Sequence, residues 1–243
     1  VIFLSRADKL KLIIKAAAAM GLVVVIVLAM YLREPAQPAA GTPAVLSAPG
    51  VVIDAGHGGY DGGAQWGGAV EKDVNLAITL QLREILLATG YRVALTRYGD
   101  YSLIEEEEAS NPKKREDMAR RLAVIEKHQP DIVILIHCNA IRSTQWSGAQ
   151  TFYQEGFDQG KLLAEDIQHY LREFTATTRQ ARPLDLYLLR ESSIVGSLVE
   201  AGFLSNPAER DLLLQRGYQR ILATATWLGI SKYLHESGLA LED

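Results

Sequence analysis

The stretch Val51-Val-Ile-Asp-Ala-Gly-His-Gly-Gly-Tyr60 limits this chain most. An apolar run ending in Asp54 and followed by glycines predicts a buried strand, Val51–Asp54, that leaves a sheet through a tight corner. The corner displays one histidine, His57. The apolar residues Val74, Ala77, Ile78, Leu82, Ile85 and Leu86 then recur at helical spacing, predicting a helix from Asp73 to Thr89, with Asp73 as cap and Gly90 just past its end. Tyr91–Arg97 alternates like a strand. Strand, helix, strand in this order predicts an α/β domain: a twisted, mostly parallel sheet flanked by helices.

The later chain fits that frame. A helix is expected over Arg115–His128, then a central strand over Asp131–His137, whose Ile132-Val-Ile-Leu-Ile136 is apolar throughout. Gly148–Gln154, Leu184–Arg190 and Ser197–Phe203 read as further strands. Asp158–Phe174, Pro207–Gln215 and Tyr218–Glu236 read as helices, the second opened by Asn206-Pro207. Tyr98–Lys114 breaks the pattern, and its Glu105–Glu108 reads as a solvated charged face.

Ahead of the domain, Arg6, Lys9, Lys11 and Lys15 precede the uncharged apolar run Ala16–Leu32. At about 1.5 Å per residue, such a run suits a bilayer core of about 30 Å. Residues 1–33 are therefore expected to form a basic flank and an N-terminal transmembrane helix, with the following chain exported. The alternative is a secretory signal that is cleaved, but the run exceeds the usual apolar region of about 7–15 residues. Residues 34–50, rich in Pro and Ala, read as a linker, 51–236 as the catalytic domain and 237–243 as a tail. The net charge of −4 and the lack of a basic patch argue against nucleic acid as a partner. A single cysteine, Cys138, rules out an internal disulfide. Next to His137 on an extended strand, it faces the opposite way and reads as packing.

Four residues stand out chemically. His57 follows the end of the first strand, and His137 ends the central one. Glu200 lies near the end of the last strand, within an apolar context where an idle charge is costly. Glu71 precedes the first helix. Sites in open parallel sheets form at the carboxyl ends of strands, so these groups can converge. Two imidazoles and a carboxylate suit zinc with one position open to water, and a second carboxylate suits general acid–base work. His128, His169 and His235 fall on helices and read as surface residues. A dinucleotide fingerprint fails because Gly56-His-Gly58 is followed by Asp61 where a glycine is needed, and no P-loop Gly-Lys-Ser/Thr occurs.

The segments VVIDAGHGGYDGGA, EKDVNLAITLQLREILLATGYRVALTR, ILIHCNA and LVEAGFLSNPAER resemble, in order and spacing, the zinc-dependent N-acetylmuramoyl-L-alanine amidases of bacterial cell walls. Residues 139–153 together with the N-terminal anchor resemble the germination-specific, CwlD-type members of spore formers. The resemblance implies Zn2+ bound by His57, Glu71 and His137, with Glu200 catalytic and Asn139 a candidate for holding substrate. It implies hydrolysis of the bond between the muramic lactyl group and L-alanine in peptidoglycan, with the spore cortex and muramic δ-lactam formation as the setting. Departures are Cys138, where the family has another small or apolar residue, and Ile134-Leu-Ile136, where a serine is common. No long insertion lies between Gly148 and Glu200, where division-associated members carry an inhibitory helix. This implies another control, such as a regulatory protein partner. The rival readings are a different exported zinc amide hydrolase, a peptidase or deacetylase, and a non-catalytic wall-binding module. The corner glycines are expected chiefly to let the bulky polymer approach the metal.

Overall fold

The computed structural model describes residues 48–104 and 113–239. The apolar run 16–32 and the glutamates 105–108 lie outside the described residues. Among the described residues, no helix is long and apolar enough to cross a membrane.

The first strand, β1, is Gly50–Ala55, followed by a small antiparallel hairpin of β2 (Gln65–Trp66) and β3 (Ala69–Val70). Next come α1 (Glu71–Ala88), β4 (Arg92–Leu95), α2 (Lys113–His128), β5 (Ile132–Asn139) and β6 (Gln150–Tyr153). The chain continues as α3 (Asp158–Thr175), β7 (Arg182–Pro183), α4 (Tyr187–Ser192), β8 (Gly196–Phe203), α5 (Pro207–Leu213) and α6 (Arg216–Glu236). The six-stranded sheet has the order β4-β1-β5-β8-β6-β7. Strands β4, β1, β5 and β8 are parallel, β6 runs antiparallel to β8, and β7 is parallel to β6. The expected α/β domain with a largely parallel sheet is therefore present, closed on one side by a mixed edge.

Alternation along the strands gives the two faces different cover. Val51, Ile53, Ile132, Ile134, Ile136, Cys138, Val199 and Ala201 pack with α1, α3 and α6. Helices α3 and α6 approach very closely, since a Cβ on Gly229 would lie 2.4 Å from the Ile167 Cα. The other face carries Val52, Val133, Leu135 and Leu198 beneath Ile125 of α2 and Leu188 and Leu189 of α4. By the same alternation, His137 and Glu200 belong to this second face.

Two local expectations are corrected. Leu184–Arg190 is not a strand: its end lies in the short helix α4, and the edge strand is only Arg182–Pro183. The apparent alternation of Leu184, Leu186 and Leu188 gives way because adjacent Leu188 and Leu189 are both buried over the sheet, which an extended chain cannot do on one face. Asp73 does not cap α1. The helix opens at Glu71 after an extended Val70, and loop carbonyls take its first amides: Glu71 N–H bonds to Ala64 at 2.9 Å and Lys72 N–H to Gly62 at 3.2 Å. Gly90 does follow the end of α1, with φ +91°. Asn206 caps α5, accepting from the Glu209 N–H at 3.1 Å ahead of Pro207.

At the strand ends the second face is held by buried charge. Arg121 of α2, 2% exposed, places Nη1 2.7 Å from Asp54 and Nε 2.7 Å from Asp117. Burial pushes the Asp54 carboxyl up, but Arg121 and the Thr96 hydroxyl outweigh it and hold it below its ordinary value. Removing one partner of a buried pair costs about 3–5 kcal/mol because the other charge is stranded. Arg121→Met should therefore lose stability on that scale in urea melts at pH 7. Because the folded Asp54 pKa is depressed, its stabilising contribution is present above the unfolded carboxyl value and lost as pH falls through the folded one. The gap between wild type and variant should thus narrow in melts below about pH 4. An equal gap at both pH values would contradict the assignment.

Candidate active site

The site is built where β1 and β5 end and α1 begins. His57 has φ +62°, a left-handed conformation unusual for a residue with a Cβ. Two buried arginines hold the carbonyls leading into it. Arg97 donates to Ala55 O at 2.8 Å and Gly56 O at 3.0 Å. Arg121 donates to Ala55 O at 2.9 Å and His57 O at 2.6 Å. Arg97 also donates to Lys72 O at 2.8 Å, which ties the corner to the first turn of α1.

Glu71, 4% exposed, is the centre of the cluster. Its Oε1 lies 3.1 Å from His57 Nε2 and 3.0 Å from His137 Nδ1, and accepts from the Cys138 N–H at 3.2 Å and Asn75 Nδ2 at 3.3 Å. Its Oε2 accepts from the Ala64 N–H at 2.8 Å. Burial would raise the Glu71 pKa, but hydrogen bonds and charge from the two histidines pull it well below the carboxylate range. The other ring nitrogen of His57, Nδ1, lies 2.8 Å from Asp61 Oδ2. Burial disfavours charge on His57, yet Asp61 and Glu71 together raise its pKa to about 9. The His57 hydrogen bond and charge lower Asp61 to about 2 despite its partial burial.

Glu200 is the register partner of His137 across β5 and β8, so the two side chains stand side by side. Its Oε2 is buried without a hydrogen-bond partner. Burial is the main reason its pKa rises to about 7. The nearby histidines oppose that rise and Glu71 adds to it. His57, His137 and Glu200 open onto one cleft of about 240 Å³ whose far wall comes from α2 and α4.

The sequence-predicted groups His57, Glu71, His137 and Glu200 are thus gathered. One ligand atom each from His57, Glu71 and His137 lies within 4.8 Å of the others, a nitrogen–nitrogen–oxygen set that can hold a metal ion and suits zinc. Asn139 is not brought in: it lies past an irregularity in β5, its carbonyl accepts from the Leu204 N–H at 2.9 Å, and it does not line this cleft. His128, His169 and His235 are exposed on helices, and Cys138 packs into the core as expected. Sequence reasoning missed Asp61, Asn75, Arg97 and Arg121. Asp61 and Asn75 each lie four residues beyond a singled-out group, which is a usable signal. The arginines offered little, since an arginine in a strand or helix reads as surface; only Asp117, four residues before Arg121, hints at that pair.

A profile of the N-acetylmuramoyl-L-alanine amidase family matches residues 51–232. The chain belongs to that family. It is 39% identical over 191 residues to the germination-specific N-acetylmuramoyl-L-alanine amidase of Bacillus subtilis, spanning 77% of this chain and 81% of that one. It is 31% identical to N-acetylmuramoyl-L-alanine amidase LytC of the same organism, over 75% of this chain and 35% of LytC. Among solved structures it is similar to the CwlD amidase of Clostridioides difficile in complex with the GerS lipoprotein. That match has a TM-score of 0.75 and 39% identity, covering 77% of this chain and 99% of that one.

As an amidase of this family, the chain uses its corner glycines differently from the expectation that they clear space for polymer. A Cβ on Gly56 would sit 2.2 Å from the His137 ring, and one on Gly58 (φ +134°) 2.5 Å from the Tyr101 carbonyl. One on Gly63 would lie 2.6 Å from Glu71 Oε2 and 2.7 Å from the His57 ring. Internal packing therefore excludes side chains at these positions. Gly56→Ala should displace the His137 ring while the fold persists, seen as unchanged far-UV circular dichroism. Peptidoglycan hydrolysis should drop by about 10²-fold or more, the usual cost of misplacing a reacting group by about 1 Å. A Gly56→Ala enzyme of wild-type rate would refute this packing role.

Proposed function

We propose that His57, Glu71 and His137 hold zinc and that Glu200 carries the proton in hydrolysis of the amide joining the muramic lactyl group to L-alanine. The observation that carries this reading is Glu200: a half-buried carboxylate whose buried Oε2 has no partner, fixed beside a His–Glu–His cluster in a cleft. Zinc supplies Lewis-acid chemistry there, acidifying water and polarising an amide carbonyl. Glu200 takes the proton from water as the C–O bond forms and returns it to the alanine nitrogen as the C–N bond breaks. Burial raises the pKa of this carboxyl, which favours its holding the proton between the two steps. Glu71 contributes the one negative charge of the ligand set, and Asn75 and the Ala64 and Cys138 amides fix its orientation.

The 39% identity to a germination-specific amidase supports spore-cortex peptidoglycan as the substrate. The complex formed by the Clostridioides difficile relative supports a lipoprotein partner for this chain as well. The basic flank and uncharged run of residues 1–33 support an exported domain tethered to the membrane.

Glu200→Gln should retain metal, read by elemental analysis, while release of alanine-terminated peptides from peptidoglycan falls by about 10²–10⁴-fold. His57→Ala and His137→Ala should instead lose the metal. Wild-type turnover by Glu200→Gln would sink the proton-transfer role. Asp61 orients His57 by bonding its Nδ1, so Asp61→Ala should weaken zinc affinity about 10–100-fold in chelator competition. An unchanged affinity would leave Asp61 without that role.

A further inference from the structure

The loop that joins β5 to β6 is tied down along its length by side chains from other parts of the fold. The Ile141 N–H donates to Ser205 Oγ at 3.3 Å, and the Thr144 carbonyl accepts from Asn206 Nδ2 at 3.0 Å. The Ser147 carbonyl accepts from Arg179 Nε at 2.8 Å, and the Gly148 N–H donates to Glu209 Oε1 at 2.7 Å. A Cβ on Gly148 (φ +98°) would lie 2.4 Å from Thr177 Oγ1, so this end of the loop is tightly packed as well. The fixed loop displays Trp146. At 55% exposure it is the most exposed large apolar side chain among the described residues. A group already held in place loses little freedom when it binds, so rigid display favours recognition.

The indole is backed by a cation. The Arg179 guanidinium carbon is 5.7 Å from its ring centroid and 4.5 Å from that of the buried Phe203. Arg179 Nη1 donates to Gln150 Oε1 at 2.9 Å, whereas Nη2 has no hydrogen-bond partner among the described residues. Gln150 is the register partner of Glu200 across β6 and β8, as His137 is across β5 and β8. Residues paired in this way point to one face of the sheet. His137, Glu200 and Gln150 therefore form a row that leads from the catalytic cluster to Arg179 and Trp146. Paired strands put the Gln150 and Glu200 α-carbons about 5 Å apart, and four residues of chain span at most about 14 Å. Trp146 thus stands within roughly 20 Å of Glu200 between α-carbons, at the same end of the sheet.

We propose that Trp146 and Arg179 form a subsite for the glycan half of the substrate. A hexosamine ring next to the muramic residue lays its C–H face on the indole, and Arg179 Nη2 donates to a hydroxyl or acetamido oxygen of that ring. This rests on the amidase reading above. The subsite lies apart from the cleft between α2 and α4, which neither residue lines. Its surroundings favour a saccharide over a protein or a bilayer. Apart from Ile141, the exposed neighbours of the indole in the loop are Arg142, Thr144, Gln145 and Ser147, all polar. The core of a protein interface, or a patch seated on a membrane, calls for contiguous apolar surface. A pyranose ring instead offers an apolar face about one indole wide, with hydroxyls around its edge.

The test uses the zinc-loaded full chain and two soluble substrates that carry the same stem peptide. One has a single N-acetylmuramoyl residue, the other a tetrasaccharide of alternating N-acetylglucosamine and N-acetylmuramic acid. Trp146→Ala should lower the ratio of kcat/KM for the tetrasaccharide over the monosaccharide about tenfold, chiefly through KM, with unchanged far-UV circular dichroism. That is the scale of one lost aromatic stacking contact. Trp146→Phe should hold the ratio within about threefold, because a smaller ring still stacks. A second arm needs no turnover: peptide-free tetrasaccharide should shift the indole fluorescence of the wild type, and Trp146→Phe should abolish the shift although Trp66 and Trp227 remain. A ratio unchanged in Trp146→Ala, the outcome if the indole meets a protein partner instead, would overturn the subsite. So would the absence of a fluorescence shift in the wild type, or a shift that survives Trp146→Phe. If the wild type releases no alanine-terminated peptide from either substrate, the amidase reading fails, and the fluorescence arm alone decides whether Trp146 binds saccharide.

Discussion

The site depends on one buried carboxylate. Glu71 lies where three separate pieces of chain meet: the corner after β1, the end of β5 and the start of α1. A carboxylate that is 4% exposed is tolerable only if its oxygens are answered. Here they are answered by both histidines, the Asn75 amide and the backbone amides of Ala64 and Cys138. The donors come from the corner after β1, the loop before β2, α1 and β5, so satisfying the charge also fixes the relative positions of these pieces. The same contacts that make burial of Glu71 affordable bring the ligand atoms within 4.8 Å of one another.

The corner beside Glu71 is held by opposite means. Its carbonyls have left the sheet ladder, and His57 is in a left-handed conformation. Strain of about 1–3 kcal/mol persists only where the surroundings over-determine it. The guanidinium groups of Arg97 and Arg121 do this, each binding more than one corner carbonyl. Two buried cations so close together would repel, and Asp54 and Asp117 offset this at Arg121. The charge network therefore extends beneath the site as well as within it, and the imidazole of His57 is carried by a rigid loop.

What the sequence made legible follows from how each feature encodes itself. Apolar runs announce buried parallel strands, so β1 and β5 were found within a residue or two. Histidines at their ends were found because parallel sheets gather their carboxyl ends. Glu200 was visible because a charge within Leu198-Val-Glu-Ala-Gly202 has no structural excuse. The segment 184–190 misled because leucine alternation looks the same whether it adds to a sheet edge or crosses over its face. Tertiary packing alone decides that, and here Leu188 and Leu189 settle it together. The arginines were hard to read for a related reason: a buried guanidinium is recognised only by its partners, and those at the corner lie 41 to 67 residues away in the chain.

The two faces of the sheet also explain why chemistry occurs where it does. One face is sealed by α1, α3 and α6, with Cys138 and its neighbours fully packed. The other is covered by α2 and the short α4, which leave a seam over the strand ends. Strand alternation places His137 and Glu200 on that less covered face and Cys138 on the sealed one. A register slip of one residue in β5 would exchange them, burying the histidine and presenting the thiol. The continuous apolar run of β5 cannot set that parity by itself, since both of its faces are hydrophobic. Its pairing with β1 and β8, together with the bonds from Glu71 to His137 and to the Cys138 amide, holds the register that the site requires.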